Sequence, residues 1–312
     1  MLDLAIVVVT WNNADIIEDA LSSVIADLDT TPLSYKVWLV DNASSDNTMA
    51  VVRENFPTVE LIASDENLGF SRANNLAMRR IGFDGLESNK LPRAVYLINP
   101  DTITHHNATQ RLFDTLMSHD DVGVVGARLT FADGSFQHSA FKFPDLGQIW
   151  TEFFPTPGRF IEGGFNGRYS KEKYASDAPF SVDFTLGATM MLKRDVLLQT
   201  GLFDEDFLIY CEEVDWAWRI RNAGWNILCV PQAHVTHLGG QSTSQVRPWS
   251  LINLWKSRLH LYAKHYPVWK QWVARRLVMF GMQCKIAQLD RQTEHYDEII
   301  SAYQTVYDMA KS

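Results

Sequence analysis

The chain has 312 residues, 46% of them hydrophobic and 21% charged, with a formal net charge of −9. That length buries a full core in one large domain, or in one domain with an extension. The acidic balance excludes a general affinity for nucleic acid, whose phosphates require a basic surface. Cys211, Cys229 and Cys284 are odd in number and widely spaced, so they read as three reduced thiols. No run reaches the ~20 apolar residues that span a bilayer. The opening MLDLAIVVVTWNN carries Asp3 and no basic n-region, which makes it a first strand rather than a signal peptide. The expected site of action is therefore the cytosol or the cytosolic face of a membrane.

In chain order, residues 4–9 form a continuous apolar run, as in a strand buried on both faces. Ile16, Ile17, Ala20, Leu21, Val24, Ile25 and Leu28 then share one helical face, with Asn12 or Asn13 as cap. Strands are expected at 36–40, 59–63 and 94–99, with helices between them. A helix around 107–118 and a strand VGVVGARL continue the alternation. This order predicts an α/β fold with a doubly wound, mostly parallel central sheet. Polar clusters (TWNN, DNASSD, ENLG, NPD) follow the strands, on the edge where open α/β sheets bind ligands. Residues 133–180 read as an irregular insertion, 182–193 as one strand with a lined face, and 226–230 as another strand. From about 247 the pattern is helical. The expected division is a catalytic domain over 1–245 and a C-terminal helical extension over 246–312.

The stretch DEDFLIYCEEVDWAWR (204–219) mixes six carboxylates with aromatics, which neither an acidic tail nor a plain core helix does. Read as a helix from Glu212, it pairs Asp215 with Arg219 four residues on. Glu212 and Glu213 are left in the first turn, where the helix dipole favours an ionised carboxylate. They read equally as a catalytic base or as ordinary acids at a helix start. Asp101, just past a strand in LINPDT, suits a phosphate-bound Mg²⁺ or Mn²⁺, or a turn cap. His237 is a further candidate ligand, since imidazole suits Mn²⁺ better than Mg²⁺. His105 and His106 are adjacent and read as surface residues.

The ordered set VVVTWNN, VDNASSDNT, ENLGFSRANN, YLINPDT, GATMMLKRDVLLQTGLFDEDFLIYCEEVDWAWRIRNAG and HLGGQS resembles a family 2 glycosyltransferase of the GT-A fold, in its rhamnosyltransferase-like branch. The resemblance spans roughly residues 4–242. It implies an inverting, metal-dependent transfer of a sugar from a nucleotide diphosphate donor. In that reading Thr10, Asn12, Asp41, Asn67 and Arg72 line the nucleotide pocket, Asp41 accepting a hydrogen bond from the pyrimidine. Asn99 replaces the first acid of the family's Asp-x-Asp pair, so Asp101 carries the metal contact. Glu213 takes the position of the base, with Glu212 as the alternative, and His237 matches a metal-ligating histidine. The implied donor is dTDP-rhamnose, with a UDP-hexose as alternative, and the implied acceptor is a glycan or lipid-linked glycan of a surface polysaccharide. The aromatics of 204–219 would give the sugars an apolar wall, or Trp216 and Trp218 would pack in the core, the commoner fate of helical aromatics. A non-catalytic nucleotide-sugar or glycan-binding module is the competing reading. A sugar nucleotidyltransferase ranks lower, because TWNNAD has neither Gly nor Lys.

Residues 251–285 hold seven Lys and Arg, no acid and interleaved aromatics. They suit an anionic membrane surface, or else packing on the domain or against a second copy in a homodimer.

Overall fold

The computed structural model describes residues 2–239 and 247–312. The first third folds as β1 (Leu4–Thr10), α1 (Ile17–Asp29), β2 (Tyr35–Asp41), α2 (Thr48–Asn55), β3 (Glu60–Ala63), α3 (Gly69–Ile81) and β4 (Ala94–Ile98). These strands lie parallel in the order β3-β2-β1-β4. β1 gives Ala5 and Val7 to one core and Leu4, Ile6 and Val8 to another. Burial on both faces is why its apolar run does not alternate. α1 turns Ile17, Leu21, Val24 and Leu28 inward.

The chain continues through β5 (Thr102–Thr104), α4 (Ala108–Ser118), β6 (Val122–Thr130), β7 (Phe136–Gln137) and β8 (Ala140–Phe141). Three short helices follow, α5 (Leu146–Phe153), α6 (Gly158–Ile161) and α7 (Lys171–Ala175). Then come β9 (Phe180–Val182), β10 (Phe184–Thr185), β11 (Thr189–Lys193), α8 (Arg194–Thr200), α9 (Glu212–Asn222) and β12 (Asn226–His237). The main sheet runs β3-β2-β1-β4-β11-β6-β12-β5, with β7 on β6 and β9 on β12. β11 is antiparallel to both neighbours, while β12 is parallel to β6.

Three expectations change. The N-cap of α1 is Ile16, with no side-chain cap bond, so neither Asn12 nor Asn13 caps it. Residues 182–193 are not one strand: β10 pairs with β8 in a separate small sheet. β11 starts only at Thr189, because Leu186, Gly187 and Ala188 turn aside to line a cavity. The strand expected at 226–230 runs on to His237 through a register shift between Val230 and His234, an irregularity of the kind that re-aims a strand end.

From Arg247 the chain forms α10 (Arg247–His265), α11 (Val268–Gln288) and α12 (Tyr296–Lys311). The division at 245/246 and the last three residues of HLGGQS lie outside the described residues. These helices build a third core with α5, around Trp255, Leu259, Tyr262, Val278, Val306 and Ile149. Three of the seven Lys and Arg of the basic stretch are ion-paired among the described residues. Arg258 pairs with Glu152, Lys264 with Asp204 and Asp215, and Lys270 with Asp145.

One buried carboxylate ties this extension to α9. Asp215 accepts from Arg219 Nε at 2.9 Å and from His265 Nε2 at 2.7 Å, and Lys264 Nζ lies 2.7 Å away. Burial works to raise its pKa, but the His265, Lys264 and Arg219 contacts outweigh that and hold it at about 2. Asp215→Ala removes the carboxylate shared by Arg219, Lys264 and His265, so it should cost about 3 kcal/mol of unfolding free energy at neutral pH. Asp215's contribution is intact above the unfolded-state pKa of about 4 and is lost as pH falls through about 2. Urea denaturation of parent and variant should therefore converge on acidification.

Candidate active site

The polar clusters after β1, β2 and β4 meet the start of α9 around a cavity of about 750 Å³. Of the residues predicted from sequence, Thr10, Asn67, Asn99, Asp101, Glu212, Glu213 and His237 line it. Three others do not. Asn12 has φ 51° and accepts from the Ser45 N–H at 2.8 Å, while its own N–H donates to Ser44 Oγ at 2.9 Å. It fastens the loop after β1 to the loop after β2. Arg72 is exposed on α3 and faces Glu205 at 4.0 Å. Asp41 is buried at the end of β2; its Oδ2 accepts from the Ser44 N–H at 3.1 Å, and its Oδ1 has no partner among the described residues.

Asn42 was missed, although it follows Asp41 at a strand end. Its amide donates to Asn67 Oδ1 at 2.9 Å and to the Gly69 carbonyl at 3.2 Å, and its Oδ1 accepts from the Leu68 N–H at 2.7 Å. It thus sets the cavity wall between β2 and α3.

Asp101 and His237 are brought together by strand register. β5 pairs antiparallel with β12, matching Thr102 to His237, and the Leu238 N–H donates to the Asp101 carbonyl at 2.9 Å. His237 Nε2 lies 3.4 Å from Asp101 Oδ1. That oxygen is buried without a hydrogen bond. His237 Nδ1 lies 3.3 Å from Gln137 Oε1. If Nδ1 donates there, Nε2 presents its lone pair to a carboxylate oxygen. Two acceptors facing each other need a proton or a cation between them, and the outer hydrogen bond is the usual device for orienting a histidine ligand. The donor set thus fits a divalent ion.

A second group, Asp204, Asp206 and His260, places ligand atoms within 4.8 Å of one another. There Asp204 already accepts from Lys264 Nζ at 2.5 Å and from the Asp206 N–H at 3.0 Å.

Glu212 and Glu213 reach the cavity through a constrained turn. Tyr210 and Cys211 both adopt left-handed backbone, φ 68° and 65°, at about 1–3 kcal/mol each for non-glycine residues. α3 holds this loop in place. The Phe70 N–H donates to the Leu208 carbonyl at 2.9 Å, and Ser71 Oγ to that of Phe207 at 2.5 Å. Asn75 exchanges bonds with the Phe203 backbone in both directions. Gly69 has φ +74°, and a Cβ there would sit 2.4 Å from the Leu208 oxygen, so only glycine fits. From the other side, Ser257 Oγ on α10 donates to the Ile209 carbonyl at 2.8 Å.

Each glutamate keeps a buried Oε2 without a hydrogen bond. Burial, then the charge of Glu213, drives the Glu212 pKa well above the ordinary carboxylate range. Burial pushes Glu213 up to about 7 against the opposing backbone N–H groups. The thiol of Cys211 is likewise pushed up by burial, which argues against a nucleophile. The expected aromatic wall comes from elsewhere. Trp216 is fully buried in the core, and Trp218 stacks on Phe143 and His265. The cavity's aromatics are Trp11, Phe70, Tyr210 and Trp249. Of the 204–219 stretch, Tyr210 alone among the aromatics serves the cavity.

Because the folded-state pKa of Glu212 is raised, its protonated form is stable in place below the unfolded pKa of about 4.3, and stability is lost as pH rises toward the folded pKa. Glu212→Gln should therefore melt at least ~2 °C above the parent at alkaline pH. The difference should vanish in acid, as differential scanning fluorimetry across pH would show.

The chain is similar to proteins of known family and fold. Residues 5–199 match the family described as glycosyl transferase family 2. Similar proteins include the Mycobacterium tuberculosis N-acetylglucosaminyl-diphospho-decaprenol L-rhamnosyltransferase, 27% identical over 250 residues, or 78% of each chain. The Escherichia coli rhamnosyltransferase WbbL is 24% identical over 234 residues, covering 70% of this chain and 79% of its own. Among solved structures, the Pyrobaculum calidifontis mannosyltransferase PcManGT, in complex with GDP-Man and Mn²⁺, superposes with a TM-score of 0.58 at 17% identity. That match covers 99% of this chain and 85% of the other. Staphylococcus aureus TarS 1-349 gives 0.52 at 15% identity, covering 99% and 91%. The chain belongs to glycosyl transferase family 2 and is a glycosyltransferase of the GT-A fold.

Proposed function

We propose that the chain transfers L-rhamnose from dTDP-rhamnose, with inversion, to a lipid-linked glycan acceptor in polysaccharide synthesis. The observation that carries this reading is the shared cavity: Asp101 with His237, and Glu212 with Glu213, line the same space as Thr10 and Asn67. The two rhamnosyltransferases among the relatives support the choice of sugar, and the diphospho-decaprenol in the name of the first supports a lipid-linked acceptor.

In this reading the nucleotide end of the donor rests against Thr10 and Asn67, while Asp41, buried behind the lining, acts by fixing the loop through the Ser44 N–H. Asn12 acts indirectly, by holding the loop that carries Ser44 and Ser45 against β1. Arg72 is left to its contact with Glu205. Asp101 and His237 would hold Mg²⁺ or Mn²⁺, and such an ion neutralises charge developing on the leaving diphosphate. Glu213 accepts the proton of the attacking hydroxyl as the new glycosidic bond forms and the bond to the diphosphate breaks on the opposite face. A carboxylate pushed to about 7 is matched to that task near neutral pH. Glu212, whose pKa burial raises well above the ordinary carboxylate range, adds no fixed charge to this role in the reading. Gly187 leaves the wall open between Phe70 and Glu213: a Cβ there would lie 3.6 Å from Phe70 and 3.8 Å from Glu213, narrowing the space for a sugar ring.

Glu213→Gln should lower the rate of transfer ~10²–10⁴-fold while leaving dTDP affinity unchanged in calorimetry. Parent-like transfer by this variant would remove the base assignment. In the parent, kcat/KM should rise with pH and level off above an apparent pKa of about 7. A rate that falls over the same range would contradict a general base.

A further inference from the structure

α11 is apolar on two opposite faces. Ala274, Val278, Gly281 and Met282 are buried against α5 and α12, and Gly281 is so close to Phe153 that a Cβ would meet its ring at 2.2 Å. The opposite face repeats at helical spacing as Trp269, Trp272, Arg276 and Phe280. Trp269 is 63% exposed, and Trp272 and Phe280 are each 58% exposed. Phe280 stacks on Phe154 at 5.7 Å, and Phe154 meets the exposed Trp150 at 4.6 Å, so the patch extends beyond one helix. Contiguous apolar surface of this kind marks a contact site.

Charge decides what it contacts. α10 and α11 contain no acid, in a protein of net charge −9. On this face Arg276 has no ion pair among the described residues and lies over the Trp272 ring at 5.3 Å. Lys256 on α10 and Lys285, which lies over the Phe153 and Tyr303 rings on the packed side, also have no ion pair among the described residues. Tryptophan beside an unneutralised cation suits a helix lying in the headgroup region of an anionic bilayer. No helix among the described residues is long and apolar enough to cross a membrane, so such contact would be peripheral. The neighbouring helix α10, which packs on α11, carries Trp249 on the cavity rim.

We propose that the Trp269–Trp272–Arg276–Phe280 face of α11 docks the enzyme on an anionic phospholipid surface, presenting the cavity to a lipid-carried acceptor. This rests on the acceptor reading above and narrows the basic 251–285 stretch to one helix face.

The test is flotation of the full chain with phosphatidylcholine vesicles, with and without phosphatidylglycerol. The parent should float with the anionic vesicles at low salt and be released by high salt. The double variant Trp269→Ala, Trp272→Ala should partition at least roughly ten-fold less, and Arg276→Glu should also weaken binding. Both should keep the parent's melting temperature and its transfer to a short-chain, water-soluble acceptor. Failure of the parent to float, or unchanged flotation of the double variant, overturns the proposal. So does light scattering that finds a parent dimer which the double variant dissociates, since a second copy would then cover this face. Transfer to the soluble acceptor reads the proposed activity separately, so loss of docking and loss of function are distinguishable.

Discussion

Three carboxylates, Asp101, Glu212 and Glu213, face one cavity, and no lysine or arginine among the described residues lines it. A nucleoside diphosphate bound there, as proposed, would bring more negative charge to that space. Like charges repel, so binding would need a compensating cation or protons retained on the acids. The arrangement offers both. Asp101 and His237 offer an ion a carboxylate oxygen and an imidazole nitrogen 3.4 Å apart. Elsewhere on the lining, burial raises the pKa of Glu212 well above the ordinary carboxylate range and that of Glu213 to about 7. In the proposed reading the negative charge is thus divided between a cation-binding pair and a proton-holding pair.

The rest of the fold positions these two pairs. The parallel half of the sheet delivers Thr10, Asp41 and Asn99 from consecutive strand ends. β11 then interrupts the parallel order, and residues 186–188 leave the ladder, the Asn99 N–H donating to the Ala188 carbonyl at 3.1 Å. The glutamates depend on a loop with two left-handed residues, and that strain persists because α3 and α10 both bind its carbonyls. Asp215 completes the scaffold by fixing α9 to the C-terminal helices. The extension is therefore a structural support of the site as well as a surface.

Much of this was legible in the sequence because it follows from period and position. Continuous apolar runs give β1, β2 and β4, and the one-sided pattern of 16–28 gives α1. Asp215 and Arg219 pair at the expected spacing of four. Polar residues after strands, and the acidic helix start, bring Asp101, Glu212 and Glu213 to one cavity. The losses have physical reasons. Asn12 and Asn42 are alike in sequence, but a left-handed backbone turns Asn12 toward Ser44 and Ser45, while Asn42 faces the cavity. Arg72 is three residues from Gly69 and lies on the side of α3 facing Glu205. Residues 182–193 alternate like a strand, yet the turn at Gly187 breaks them. Trp216 and Trp218 share a motif with the glutamates, but their positions on α9 turn them into the core and toward α10. The double-faced character of α11 was hidden because its two apolar faces together leave no periodic contrast.

The most direct test of the central claim is to locate the ion. A crystal of the enzyme with dTDP and Mn²⁺, measured for manganese anomalous scattering, should place the peak between Asp101 and His237. The outer phosphate should then face Glu213 across the cavity. A peak at Asp204, Asp206 and His260, or a diphosphate bound away from Asp101, would contradict the account.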